Sequence, residues 1–239
     1  MGFTYDLNQD YKNINTTNTK ETLQIIFSEL DNVLNGNYTP SERKSYIVNS
    51  HVRTFDEEIY NQRKNGANFR KEEWICKHAF YKETVGTFFD SIVDYQVPLK
   101  TPAGKDNQGM GKVDLLAKKG DVGYLLEVKV QDSTESPLRA IMEIFTYWKQ
   151  LGGNNAKDFL DRSTLSGTTT LRKGIVLFPN EAKSSVFYKL CKDWGQGLNY
   201  KSFMEKLEVE CFIAIPQKGD IFIENIIPMD SFLTTYKHD

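Results

Sequence analysis

The sequence predicts an α/β fold, with a helical extension over residues 1–66 ahead of a core domain at 67–239. Three observations carry this reading. Two strand-like segments, 113–117 and 122–130, flank a short polar turn. Segments with helical apolar spacing lie on either side of them. Further along, a buried strand, a helix and a second hairpin continue the alternation of elements. At 239 residues the chain can bury one sizeable core with elaborations.

Asn18, with Glu21 three residues on, makes a capping box, and Gly36 closes the helix it opens. Thr39-Pro40-Ser41-Glu42 makes a second box, opening a helix expected to run towards Gly66. Arg43, Lys44, Arg53, Arg63 and Lys64 fall in this part of the chain, where a solvated helix face is the simplest reading and phosphate contact the alternative. Residues 69–88 read as a further helix. Ile75, Ala79, Glu83 and Gly86 fall near one face of it, so Glu83 sits among small or apolar residues. His78 shares this helix without a partner at metal-ligand spacing and reads as structural.

Residues 91–100 alternate Val93, Tyr95, Val97 and Leu99 on one face, the pattern of a strand. A glycine-rich loop, 101–111, leads into the hairpin. After the hairpin, Ser136 is a helix N-cap and Pro137 a first helical residue. Up to residue 151, Leu138, Ile141, Ile144, Phe145, Trp148 and Leu151 form a core stripe, and Arg139, Glu143, Thr146, Tyr147 and Gln150 a polar one. Thr146 and Gln150 are expected on a solvated face. Residues 152–170 are polar, with a short helix near 156–161. A buried strand at 172–178, a helix at 181–194 and a hairpin of 209–215 with 221–227 complete the chain.

The hairpin carries charge where strands seldom do. Asp114, Glu127 and Lys129 interrupt apolar runs, and a desolvated charge is costly unless it is paired or bound to metal. A connection of two or four residues within Lys118-Lys119-Gly120-Asp121 sets Asp114 opposite Leu125. Glu127 and Lys129 then share the face of Asp114. Glu127 becomes the diagonal neighbour, roughly 5–8 Å away between β-carbons, close enough for both carboxylates to touch one cation. The other face gathers Val113, Leu115, Ala117, Tyr124, Leu126, Val128 and Val130. Acid-x-Lys triplets also occur at Asp10, Glu42 and Glu181, but in polar or helical surroundings. A solvated hairpin with a cross-strand ion pair is the competing explanation.

This pattern resembles the PD-(D/E)XK nuclease superfamily, whose restriction-endonuclease-like core is a central mixed β-sheet flanked by helices. The resemblance implies that Asp114 and Glu127 bind Mg²⁺, or Mn²⁺, with the Val128 carbonyl as a third ligand. It makes Lys129 the catalytic lysine that positions or activates water. Valine stands at position 113 in place of the family's proline. Glu83 resembles the glutamate that the superfamily often places on the helix before its first core strand, where it completes the metal shell. Gln131 continues the site-facing parity as a substrate contact, and Arg139 and Lys112 are further candidates. Glu143-Ile-Phe-Thr-Tyr147 resembles the Gln-x-x-x-Tyr element of exonuclease-like branches, with Glu in place of Gln.

The implied activity is Mg²⁺-dependent hydrolysis of phosphodiester bonds, in DNA first, with RNA open and a homodimer compatible. A catalytically inactive nuclease fold acting as a nucleic-acid- or protein-binding module is the alternative. Hard oxygen ligands suit Mg²⁺, and an ammonium beside the metal adds fixed positive charge where negative charge develops. Cys76, Cys191 and Cys211 are widely spaced among apolar residues, which argues against a disulfide framework or a zinc site and fits a cytoplasmic protein. No apolar run suggests secretion or a membrane span. The net charge of −2 argues mildly against nonspecific nucleic-acid binding, although Lys100, Lys105, Lys112, Lys118 and Lys119 could form a local patch.

Overall fold

A computed structural model describes residues 38–99 and 111–236 except 49, 193 and 195–198, together with 24, 27, 28 and 30–36. At its centre is a mixed, strongly curled six-stranded sheet whose spatial order follows the chain. The strands are β1 Ser91–Pro98, β2 Lys112–Lys119, β3 Val122–Lys129, β4 Thr170–Leu177, β5 Val209–Pro216 and β6 Ile223–Pro228. The first three pair antiparallel, β3–β4–β5 pair parallel, and β6 returns antiparallel to β5. Parallel neighbours need long crossovers, and helices fill both of them. Helices α1 Leu30–Asn35, α2 Glu57–Arg63 and α3 Lys71–Lys82 precede the sheet. Between β3 and β4 lie α4 Pro137–Gln150 and α5 Lys157–Asp161. Helices α6 Val186–Lys192 and α7 Tyr200–Leu207 lie between β4 and β5, and α8 Met229–Tyr236 follows β6.

Both faces of the sheet are covered. Val113, Leu116, Leu125, Ile175 and Leu177 pack with Leu138, Ile141 and Phe145 of α4. Leu115, Ala117, Tyr124, Leu126, Val128 and Val176 pack with Ile75, Ala79 and Phe80 of α3. Strands buried on both sides read as apolar runs, which is how β2 and β3 are written. Val113 lies with the α4 cluster, not with Leu115 as its spacing suggested. In β1 the register shifts between Ile92 and Asp94. The bulge sends Tyr95 to the α3 side while Val93, Val97 and Leu99 contact the α4 side.

The helix α4 begins and ends where its N-cap and apolar stripe predicted, but its polar stripe is not solvated. Thr146 and Gln150 are buried. The Gln150 carbonyl accepts a hydrogen bond from the Ser41 amide at 2.7 Å. The segment around Ser41 corrects a second expectation: none of the described residues of 39–56 is helical, and of the helix expected from Thr39 to Gly66 only Glu57–Arg63 forms. Tertiary bonds hold this strap in a non-helical path. Ser41 donates its hydroxyl to the Leu99 carbonyl at 2.6 Å, and the Tyr46 amide bonds the Arg162 carbonyl at 3.0 Å. His51 meets Asp94 at 2.7 Å, and the Arg53 guanidinium reaches the Phe80 and Ile92 carbonyls. Asn18 and Glu21 lie outside the described residues, and α1 stops before Gly36.

Lys173 of β4 is the least expected buried group. Only 2% exposed, its ammonium sits 3.5 Å from the centre of the Trp148 ring. Burial lowers its pKa to about 8, which Glu208 partly opposes. A depressed lysine favours folding above its unfolded pKa, and that advantage is lost as pH falls through about 8. Lys173→Met is therefore expected to raise stability at neutral pH by about 1–2 kcal/mol. The gain should shrink towards pH ~10, as read by urea denaturation at both pH values. Among the described residues, no helix is long and apolar enough to cross a membrane.

Candidate active site

The hairpin turns on two residues, Gly120 and Asp121, with Lys119 paired to Val122. Gly120 adopts φ 58°, which glycine accepts without steric cost, and so selects the turn. The register is displaced by two residues from the predicted one. Parity survives, but Leu116 now faces Leu125 and Leu115 faces Leu126. The β2–β3 pairing ends at Leu115 and Leu126, one residue short of Asp114 and Glu127.

Asp114, Glu127 and Lys129 are all buried. The Asp114 carboxylate accepts from Gln96 Nε2 at 2.6 Å and from the Val128 amide at 2.8 Å. Gln96 adopts φ 48° beside the β1 bulge, a backbone state that costs a non-glycine residue about 1–3 kcal/mol. Lys129 draws the other acids together. Its ammonium lies 2.7 Å from Glu127, 2.8 Å from Glu135 and 3.4 Å from Glu143. Glu143 also accepts a hydrogen bond from the Tyr147 hydroxyl at 2.7 Å. A β-carbon on Gly111 would come within 1.9 Å of that hydroxyl, so glycine at the entry to β2 leaves room for Tyr147.

The glutamate contributed by α3 is Glu72, not Glu83. The helix stops at Lys82, and Glu83 caps it at φ 64° with its carbonyl accepting from the Ile92 amide at 2.6 Å. Its exposed side chain lies 3.8 Å from Arg53. Glu72, half-buried three turns earlier, has its pKa raised to about 7 by burial and then by Glu127, against the lowering effect of Lys129. Burial, and then Glu72, hold Asp114 well above the usual carboxylate range. Burial followed by Asp114 and Glu143 does the same to Glu127. Burial acts to lower Lys129, but Glu127, Glu143, Glu135 and Asp114 together hold it above an ordinary lysine.

Other expected residues are dispersed. Gln131 is exposed; its amide nitrogen lies 3.4 Å from the Pro179 carbonyl and its own carbonyl accepts from Asn180. It has turned away from the acids. Arg139 sits at the rim, 3.6 Å from Glu135. Lys112 is exposed at the start of β2, near the acidic end of the hairpin. Lys118 and Lys119 are at the opposite end, where Lys118 bonds the Ser166 carbonyl and Lys119 covers the Phe88 ring. They do not join Lys112 in one patch, and Lys100 and Lys105 lie outside the described residues. His78 is stacked on Phe222 with ring centres 4.0 Å apart, and burial lowers its pKa to about 4.

Glu135 and Glu72 were not anticipated. Each stands just outside a recognisable signal: Glu135 precedes the Ser136-Pro137 cap, and Glu72 lies one helical turn before buried Cys76. With them, five carboxyl groups face one buried ammonium and one rim guanidinium. Hard oxygen donors short of positive charge are the donor chemistry of a divalent cation. In the present arrangement, Lys129 takes up Glu127 and Glu143, while Gln96 and Val128 hold Asp114. Among the described residues, no three His, Cys, Asp or Glu side chains are arranged to hold a metal ion. Comparison with protein-family models, curated proteins and solved structures gives no match.

Proposed function

We propose that this protein is a Mg²⁺-dependent nuclease acting on DNA, with its reaction centre at Asp114, Glu127 and Lys129. The observation that supports this most is the excess of carboxylates around a single buried lysine at one end of two adjacent strands. Asp114, Glu127 and Glu72, with the Val128 carbonyl, are the groups that would hold the cation. When bound, the ion supplies Lewis-acid polarisation of a phosphoryl oxygen and acidifies a water. Lys129 contributes fixed positive charge close to where the phosphate becomes more anionic. Gln96 and the Val128 amide fix the Asp114 carboxylate, and Tyr147 fixes Glu143.

One observation favours a second reading. Because Lys129 already satisfies three acids, the cluster could serve as an ion-pair network in a binding module without hydrolysis. Calorimetric titration of Mg²⁺ and Mn²⁺ into the wild type and Asp114→Ala, beside cleavage assays on plasmid, linear and single-stranded DNA, separates the two. The nuclease reading expects metal binding that the substitution abolishes and cutting reduced by at least about 10²-fold. A wild type that binds neither ion overturns it.

A further inference from the structure

We infer that the groove between α2 and α3 is the track of a single-stranded segment of nucleic acid leading to the acidic site. This assignment rests on the nuclease reading and narrows its substrate. The groove encloses about 770 Å³ and is lined by Arg63, Phe69, Arg70, Trp74, Lys77 and Tyr95, among others.

Two elements join it to the site. Arg70 at the N-cap of α3 and Trp74 and Lys77 within it follow helical spacing along one stripe, while Glu72 and Cys76 occupy the next, where Glu127 acts on both and Asp114 on Cys76. On β1, Tyr95 lines the groove and its neighbour Gln96 holds Asp114. The groove wall and the acidic site are thus adjacent along α3 and β1, with the carboxylates buried behind the wall and not part of the groove lining.

The chemistry of the walls selects the ligand. Arg63, Arg70 and Lys77 face one acid, Glu73, which lies 3.6 Å from Arg70. Cations in this excess suit a phosphate backbone. Phe69 and Trp74, half-buried, lie with near-parallel rings at 6.5 Å, and Lys77 stands 5.2 Å over Trp74. Aromatic side chains interleaved with cations gain most from unstacked bases, which a single strand offers and a duplex keeps inside. The net charge of −2 is a sum over the whole chain, whereas the groove wall itself carries Arg63, Arg70 and Lys77 against Glu73.

The test is fluorescence anisotropy of labelled oligo-dT, and of a duplex of equal length, with the full chain in EDTA so that nothing is cut. The single strand should bind more tightly than the duplex. Arg63→Ala/Arg70→Ala/Lys77→Ala should weaken it by at least about tenfold, and its salt dependence should flatten by about 2 in the logarithmic slope. Trp74→Phe keeps a ring in the packing and should remove a quench of tryptophan emission seen on binding. Unchanged affinity in the triple variant, or a duplex bound as tightly as the single strand, overturns the groove. Hydrolysis of bis(p-nitrophenyl) phosphate with Mn²⁺, compared between wild type and Asp114→Ala, reads the acidic site without the groove. Its absence alongside intact oligo-dT binding sinks the nuclease reading and leaves the groove standing.

Discussion

Lys129→Ala is expected to lower stability by about 3–5 kcal/mol at neutral pH, because it leaves buried carboxylates without their shared partner. Glu127 and Lys129 are each about 95% buried, at 4% and 5% exposure, so solvent cannot take over the ammonium's role. The loss should depend on pH. Removing Lys129 removes what lowers Glu127, whose folded pKa already stands above its ordinary value through burial, Asp114 and Glu143. A carboxyl raised on folding favours the native state below its unfolded pKa, and that contribution is lost as pH rises through the folded value. The deficit of the variant should therefore be greatest near neutrality and shrink towards pH ~4. Urea denaturation of the wild type, Lys129→Ala and Lys129→Ala/Glu127→Gln measures it. The double variant should recover part of the loss, since one stranded charge is gone. A cost below about 1 kcal/mol would mean the ammonium is effectively solvated and the cluster is not a buried network. On the proposed nuclease reading, any cleavage by Lys129→Ala has to be read on the folded fraction, since the substitution changes stability.

The hairpin and its charges were legible in the sequence for a physical reason. Charged residues in apolar strands are rare, and period-two alternation allows an even error of register without moving a side chain to the other face. Gly120 shifted the turn by an even step, and although β2 changes face between Val113 and Leu115, the Asp114 carboxylate still reaches the Val128 amide between Glu127 and Lys129. The helix α4 was legible from its apolar stripe and from Pro137 in its first turn; Ser136 stands at the N-cap position, but its side chain makes no cap bond. What failed depended on distant partners. Glu83 and Glu72 both lie on the segment read as one long helix. The bond from the Ile92 amide to the Glu83 carbonyl, formed once β1 is in place, accompanies the positive-φ turn that takes Glu83 out. The strap at 39–56 has a good helix start at Thr39, yet the Tyr46 amide, the His51 ring and the Arg53 guanidinium find partners far off in the chain, in Arg162, Asp94, Phe80 and Ile92. The helix α7 was missed despite a local signal. Asn199 accepts from the Ser202 amide as an N-cap, and Tyr200, Phe203, Met204 and Leu207 bury at helical spacing.

Metal-free protein should lose stability as pH rises from about 4.5 to about 7, and Glu72→Gln should remove much of that loss. The sign follows from the direction of the shift. Glu72 has its pKa raised from 4.5 to about 7 in the folded state, so within that window the native chain keeps a proton that the unfolded chain has released. Its stabilising contribution is complete below the unfolded value and gone above the folded one. Glu72 retains some exposure, so the gain from Glu72→Gln at pH ~8 should be about 1–2 kcal/mol, less than the full shift implies. Asp114 and Glu127 are also raised and extend the decline to higher pH in both proteins. If these acids hold a cation, they bind it ionised, so Mg²⁺ affinity should rise across the same window and saturating Mg²⁺ should flatten the wild-type decline. Denaturation midpoints from pH ~5 to ~8, with EDTA and with Mg²⁺, test both halves. A wild type equally stable throughout in EDTA would remove Glu72 from the cluster. A decline that Mg²⁺ leaves untouched would mean that the carboxylates answer only to Lys129, and the non-catalytic module would then be the better account of the fold.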